Sequence, residues 1–240
     1  MTRDITPDVK KIRLYLTEAH ACSYLDDREA TTAFVDPKFD IDEDNYDYLS
    51  RLGFRRSGRY VYTPRCASCH ACLPLRLPVA RFTPSRQQQR CFKKNTDLTM
   101  TLETKVDLED HYSIYEKYID VRHYDGDMYP ASLGQYRDFI GTPWDCTRFM
   151  EFRLNGKLVG CAVVDLLSSG LSAIYTYFDP DFAKRSLGTY AILKQIELTH
   201  LYGLDYLYLG YWIRDSDKMR YKANFHPAQL YIDNRWREVG

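Results

Sequence analysis

The stretch FMEFRLNGKLVGCAVVDLLSSGLSAIYTYF, Phe149 to Phe178, decides the fold. Apolar and β-branched residues dominate it. Asn155-Gly156 interrupts them where a two-residue turn would close a hairpin, because both residues tolerate the positive backbone angles that such a turn demands. Ser168-Ser169-Gly170 turns the chain again into LSAIYTYF, so three antiparallel strands are expected in succession. Asp179-Pro180 ends the third. Beyond Lys184 to Gly188, the pattern TYAILKQIELTHLYG reads as a buried helix with Gly203 in its C-terminal cap, and YLYLGYWI, from Tyr206, as one more strand.

Three antiparallel strands, a glycine-bearing loop, a helix and a strand follow one another in the order of the GNAT (N-acetyltransferase-like) fold, which supports several acyl-transfer chemistries. Upstream, Leu108, Tyr112, Tyr115 and Ile119 give Asp107 to His123 the spacing of an amphipathic helix. Arg86 to Asn95, RQQQRCFKKN, reads as a basic strand or connector. The region from Asp36 to Pro84 is broken by Pro37, Gly53, Gly58, Pro64, Pro74, Pro78 and Pro84 and reads as loop-rich. The expected class is therefore α+β: a GNAT-like antiparallel or mixed sheet with flanking helices, preceded by a smaller cysteine-containing N-terminal region. The division falls at 1–95 and 96–240.

The apolar runs, such as Leu158 to Leu167, stop well short of the ~20 residues needed to span a bilayer. The first sixteen residues carry scattered charge instead of the apolar core of a secretory signal, so a cytoplasmic protein without a membrane partner is expected. Seven cysteines, an odd number in a chain long enough to build a core, favour reduced thiols or a metal site over a disulfide framework. Net charge is zero, yet its distribution is uneven: acids dominate Glu18 to Asp47, whereas Arg51 to Lys94 holds eleven Lys or Arg and no Asp or Glu. Such a block attracts a polyanion or balances the acidic segment beside it.

Four motifs could carry chemistry. Cys66, Cys69 and Cys72 stand at regular two-residue gaps, with Cys22 elsewhere, and suit a soft cation; a buried turn of reduced thiols is the alternative. Lys184, Arg185, Ser186, Leu187, Gly188 and Tyr190 lead into a helix whose N-terminus could face a phosphate or carbonyl. Among the 21 tyrosines, alternation puts Tyr175 and Tyr177 on one face and Tyr206 and Tyr208 on another, for stacking a base or for an aromatic core. SDKMRYKANFHP places Lys218 and Lys222 just after the last strand, where they could meet phosphate.

HACSYL from His20, YTPRCASCHACLPLR from Tyr62, RHYDGDM from Arg122, DLLSSGLSAIYTYFDPD from Asp165, RSLGTY from Arg185 and LGYWIRDSDKMRYKANFHP from Leu209 together resemble the arginyl-tRNA–protein transferase family, its short bacterial branch most of all. The resemblance covers nearly the whole chain. It implies transfer of an aminoacyl group, leucine in that branch, from charged tRNA to proteins beginning with Asp or Glu, which marks them for degradation. Eukaryotic members carry a cysteine pair and two adjacent cysteines associated with haem or iron–sulfur binding. Here Leu25 and Ala71 stand at two of those four positions, Cys22 and Cys72 match, and Cys66 and Cys69 are additional.

Aminoacyl-tRNA is an activated ester and needs no cofactor for transfer, so zinc or an iron–sulfur cluster would be an accessory at Cys22, Cys66, Cys69 and Cys72. Asp165 is expected to orient or deprotonate the amine, with substrate binding alone or stabilisation of its strand as the alternatives, and Tyr177 with the backbone at Leu187 and Gly188 to hold the ester and terminal ribose. An N-terminal Asp or Glu calls for a cation, with Arg76, Arg122 and Lys184 as candidates. The basic segment, with Lys218 and Lys222, would hold the acceptor stem. Arginyl transfer in the same architecture, a non-catalytic zinc-containing tRNA-binding protein and a coenzyme A-dependent acetyltransferase are the competing readings.

Overall fold

A computed structural model describes residues 12–141 and 144–239; most of the N-terminal segment read for a secretory signal lies outside the described residues. The strands are β1 Leu14–Leu16, β2 His20–Ala21, β3 Glu29–Ala30, β4 Thr32–Val35, β5 Arg55–Ser57, β6 Tyr60–Pro64, β7 Leu73–Pro78, β8 Thr99–Glu103, β9 Thr147–Leu154, β10 Lys157–Leu166, β11 Gly170–Phe178, β12 Tyr206–Trp212, β13 Ala228–Ile232 and β14 Arg235–Val239. The α-helices are α1 Glu43–Arg51, α2 Arg86–Lys94, α3 Leu108–Arg122, α4 Leu133–Tyr136 and α5 Leu187–Leu201.

A mixed eight-stranded sheet in the order β14-β13-β7-β12-β11-β10-β9-β8 dominates the molecule. The hairpin of β9 and β10 closes at Asn155 and Gly156, with φ of 51° and 84°, as the turn chemistry requires. β10 reads as an unbroken apolar run because both its faces are covered. Ala162 and Val164 pack toward α5 with Leu171, Ile192 and Leu207, whereas Cys161 and Val163 pack toward α3 with Tyr115, Ile119 and Tyr177. Asp107 caps α3 by accepting from the N–H groups of Glu109 and Asp110.

Two expectations change. Arg86–Lys94 is a helix, because Ser85 and Gln88 form a capping box: the Ser85 hydroxyl accepts from the Gln88 N–H, and the Gln88 side chain accepts from the Ser85 N–H. The proline-rich region before it is more regular than its breakers suggest. Its prolines sit at strand ends and loops and leave room for α1, β5, β6 and β7. β7, with its cysteine-rich lead-in, lies inside the large sheet between β12 and β13. A four-stranded sheet, β1-β4-β6-β5, packs with α1 around Tyr46, Leu49 and Val61, and this cluster reaches Leu167 and Tyr208 of the larger part.

Candidate active site

β11 and β12 are parallel neighbours for only three residue pairs, from Gly170 opposite Tyr206 to Ser172 opposite Tyr208, and then part. β12 breaks register against β7 between Tyr208 and Gly210, where Gly210 takes a φ of 78°. The opening lies toward the C-terminal ends of both strands, the end from which β11 leads on to α5. Arg55 of β5 enters it. Its Nη1 donates to Ser172 Oγ at 2.8 Å, its Nη2 donates to the Ala173 carbonyl, and a Cβ on Gly210 would stand 3.3 Å from Arg55 Nε. A side chain at 210 would both strain the backbone and crowd the guanidinium.

Lys222 adjoins the same place. Its Nζ donates to the Tyr211 carbonyl at 2.6 Å and stands 3.3 Å from Met219 Sδ, and the residue is 7% exposed. Burial, then the charge of Arg55, pull its pKa down to about 7, against a smaller opposing effect of Cys72. Neither Arg55 nor Lys222 forms an ion pair with any described carboxylate. Tyr211 is fixed by donating from its hydroxyl to the Gly53 carbonyl at 3.0 Å, and its ring lies 6.2 Å from that of Tyr62.

Tyr62 and Tyr211 line a cleft of about 690 Å³, together with Leu52, Phe54, Leu73, Pro74 and Ile213. The four cysteines at 22, 66, 69 and 72 all line it too, as free thiols. Burial, then the neighbouring cysteines, push the Cys72 thiol up to about 12. Among the described residues no three His, Cys, Asp or Glu side chains stand in metal-holding geometry. Four thiols on one cleft have the donor chemistry for a soft cation, but they are not drawn together around a common point.

The other residues singled out in the sequence do not converge on this cleft. Asp165 is fully buried, and its carboxylate accepts from Arg56 Nε and Nη2, Tyr46 Oη and Thr147 Oγ1, each at 2.7 Å. Four donors leave it no free lone pair for an incoming amine. Tyr177 is also fully buried; its hydroxyl lies 2.6 Å from His111 Nδ1 and 3.1 Å from the Tyr136 hydroxyl. His111 Nε2 in turn lies 2.9 Å from Glu151, and burial holds this histidine below its ordinary pKa.

Arg76 is stacked, with its guanidinium carbon 3.5 Å from the Tyr206 ring centre and 4.3 Å from that of Trp236, while its Nε donates to Gln229. Arg122 and Lys184 are exposed, and Arg185 pairs with Asp97. Ser186 takes the left-handed conformation ahead of α5, Leu187 and Tyr190 are core residues, and a Cβ on Gly188 would lie 3.7 Å from the Phe178 ring. Lys218 is exposed and pairs with Asp125; Lys222, expected at the surface to meet phosphate, is inside.

Sequence reasoning passed over Arg55, Tyr62 and Tyr211. The signal for Arg55 was the acid-free run itself: eleven cations without a local carboxylate must either face water or find long-range partners. Arg55, Arg56 and Arg76 turn inward, whereas Arg86, Arg90, Lys93 and Lys94 of α2 remain exposed.

Two family models match the chain: that of the arginine-tRNA-protein transferase N terminus over residues 20–90, and that of its C terminus over residues 110–232. Aspartate/glutamate leucyltransferase of Saccharophagus degradans is 49% identical over 95% of this chain and 98% of its own length. That of Teredinibacter turnerae is 52% identical over 95% of both chains. Among solved structures, L-PGS from Bacillus licheniformis matches with a TM-score of 0.44 at 9% identity, over 73% of this chain and 52% of that one.

Proposed function

The chain belongs to the arginine-tRNA–protein transferase family, and from that premise we propose that it transfers leucine from leucyl-tRNA to the α-amine of proteins that begin with aspartate or glutamate. The observation that carries leucine over arginine is the character of the cleft. Leu52, Phe54 and Leu73 offer an apolar side chain a matching wall. An arginyl donor would need a free carboxylate inside. Asp165, a buried acid, is neutralised by Arg56, and Glu29 and Asp233 of the cleft lining are exposed to water.

The reaction needs no enzyme nucleophile. The ester is already activated, and an α-amine with a reference pKa of about 8 is partly neutral at cellular pH. The amine nitrogen attacks the ester carbonyl, a C–N bond forms, the C–O bond to the terminal ribose breaks, the nitrogen loses a proton and the ribose oxygen gains one. The contribution of the chain is positioning of two substrates in one cleft, the effect that makes a bimolecular attack effectively unimolecular. Tyr62 and Tyr211, held by the packing described above, offer flat walls for the terminal adenosine.

The acceptor stem would lie along the exposed cations of α2, Arg86, Arg90, Lys93 and Lys94, with Lys184 close by through the Lys94 to Lys184 carbonyl bond. The parting of β11 and β12 beside α5 supports the GNAT-like reading of the sheet, with residues 1–95 as the cysteine-containing part ahead of it. Cys22, Cys66, Cys69 and Cys72 would be the ligands if zinc or an iron–sulfur cluster is bound; no step of the transfer is drawn through it. The product, a protein with a new N-terminal leucine, would be a degradation signal in the cytoplasm.

Leu73→Glu tests the reading of the cleft. It places a charge against the wall assigned to the leucyl side chain, and leucine transfer should collapse while tRNA affinity stays close to wild type. Undiminished leucine transfer by the folded variant would remove the cleft from the account.

A further inference from the structure

Of the four buried lysines and arginines among the described residues, Arg55, Arg56, Arg76 and Lys222, two are answered. Arg56 has Asp165, and Arg76 has two aromatic faces and an amide oxygen. Arg55 and Lys222 are the exception: both are buried, both adjoin Tyr211 at the parting of β11 and β12, and their partners in the described chain are uncharged oxygens and a thioether sulfur. Isolated buried charges are costly unless something neutralises them. Donor capacity is left over as well. An ammonium has three N–H groups and a guanidinium five, more than Tyr211 O, Ser172 Oγ and Ala173 O consume. Two cations held in place behind Tyr211, a residue of the cleft wall, with N–H groups to spare, are half of an ion-pair site.

We propose that Lys222 and Arg55 receive the side-chain carboxylate of the acceptor protein's N-terminal aspartate or glutamate, and so set the acceptor specificity of the enzyme. The inference rests on the transfer reaction given above and names the part of the cleft that selects one of its two substrates. A single carboxylate fits the geometry better than tRNA phosphate does. Phosphate contacts along a stem are made by exposed, hydrated cations of the kind α2 displays, whereas Lys222 is buried behind Tyr211 and could meet only a small group that passes that wall. Binding would give the guanidinium and the ammonium a shared counter-charge away from bulk water, where charge-assisted hydrogen bonds are strongest. An N-terminal Asn or Gln has nearly the same shape and would leave both cations unanswered, so rejection of the amides follows from the same arrangement. Tyr211 fixes the distance: its carbonyl holds Lys222, and its hydroxyl is anchored to the segment leading into β5.

The test is direct binding of fluorescent peptides that begin with Asp, Glu, Asn or Gln to the full-length protein, measured without tRNA, for wild type, Lys222→Gln and Lys222→Met. Gln keeps an N–H for the Tyr211 carbonyl and removes only the charge; Met removes both and relieves a buried ammonium, so the two variants do not share one route to misfolding. A charge-assisted bond of about 1.5–3 kcal/mol predicts that the affinity for Asp and Glu peptides falls roughly 10- to 150-fold in both variants. The affinity for Asn and Gln peptides should hardly move, the acid-over-amide preference should disappear, and tRNA affinity should be unchanged. Variants that keep the acid preference, a wild type that binds acid and amide peptides alike, or a loss of tRNA affinity in place of peptide affinity would each overturn the assignment. Because the readout is peptide binding alone, a wild type that binds acidic peptides but transfers no leucine would count against the donor assignment and leave the acid site standing.

Discussion

Replacing Asp165 by Ala separates a structural carboxylate from a catalytic one. The substitution removes the acceptor of four hydrogen bonds and leaves the Arg56 side chain, 2% exposed, without its counter-charge. Breaking a buried pair from one side costs about 3–5 kcal/mol, because the surviving charge keeps its desolvation penalty. Against a total stability of about 5–15 kcal/mol this is a large share. Urea unfolding followed by fluorescence suits the site, since the Trp144 ring lies 4.9 Å from that of Tyr46 and the Arg56 guanidinium lies 5.3 Å from the Trp144 ring. The midpoint should drop sharply, with the dependence on denaturant unchanged, while leucine transfer per folded molecule in the cold stays close to wild type. Removing both charges, as Arg56→Met with Asp165→Leu, should recover much of the loss, because well-packed apolar residues substitute for a buried pair at little cost. Wild-type stability combined with abolished transfer would refute the reasoning and return Asp165 to the substrate.

Three further outcomes follow from the geometry. Burial keeps the folded-state pKa of His111 below its ordinary 6.5, so as pH falls below that value the unfolded chain takes up the proton first and stability is lost; above it the full stability is present. His111→Asn should flatten that acid limb in urea midpoints compared at about pH 7.5 and about pH 5.5. A Cβ on Gly170 would stand 2.2 Å from the Tyr206 carbonyl oxygen, where β11 meets β12, so Gly170→Ala should lower stability by about 1–3 kcal/mol through overpacking, measured by thermal melting. Reversing Arg90 and Lys93 on the exposed side of α2 should weaken tRNA binding and reduce its salt slope by about one unit per lost phosphate contact, with peptide affinity unaltered.

How far the sequence was legible follows the range of the forces involved. The hairpin at Asn155-Gly156, the helix capped by Asp107 and the succession from β9 to β12 depend on turn chemistry, caps and local periodicity, and all three emerged at the expected places. α2 misled because only Cys91 and Phe92 of its nine residues are apolar, which hides the helical period, although Ser85 and Gln88 were in the sequence to mark its start. The insertion of β7 between β12 and β13 left no local trace, since residues more than a hundred positions apart supply its neighbours. At the site, residue type was readable and direction was not. Arg55 and Arg56 are adjacent in β5, yet one meets Ser172 and the other Asp165, and Lys222 follows an exposed loop but turns inward to Tyr211.

The most direct test of the account is transfer of labelled leucine and, separately, labelled arginine from their charged tRNAs to matched peptides beginning with Asp, Glu, Asn, Arg or Ala. Leucine on the Asp and Glu peptides alone, with no arginine on any, is the predicted result. Arginine transferred in place of leucine, or leucine attached without regard to the acidic residue, would contradict it.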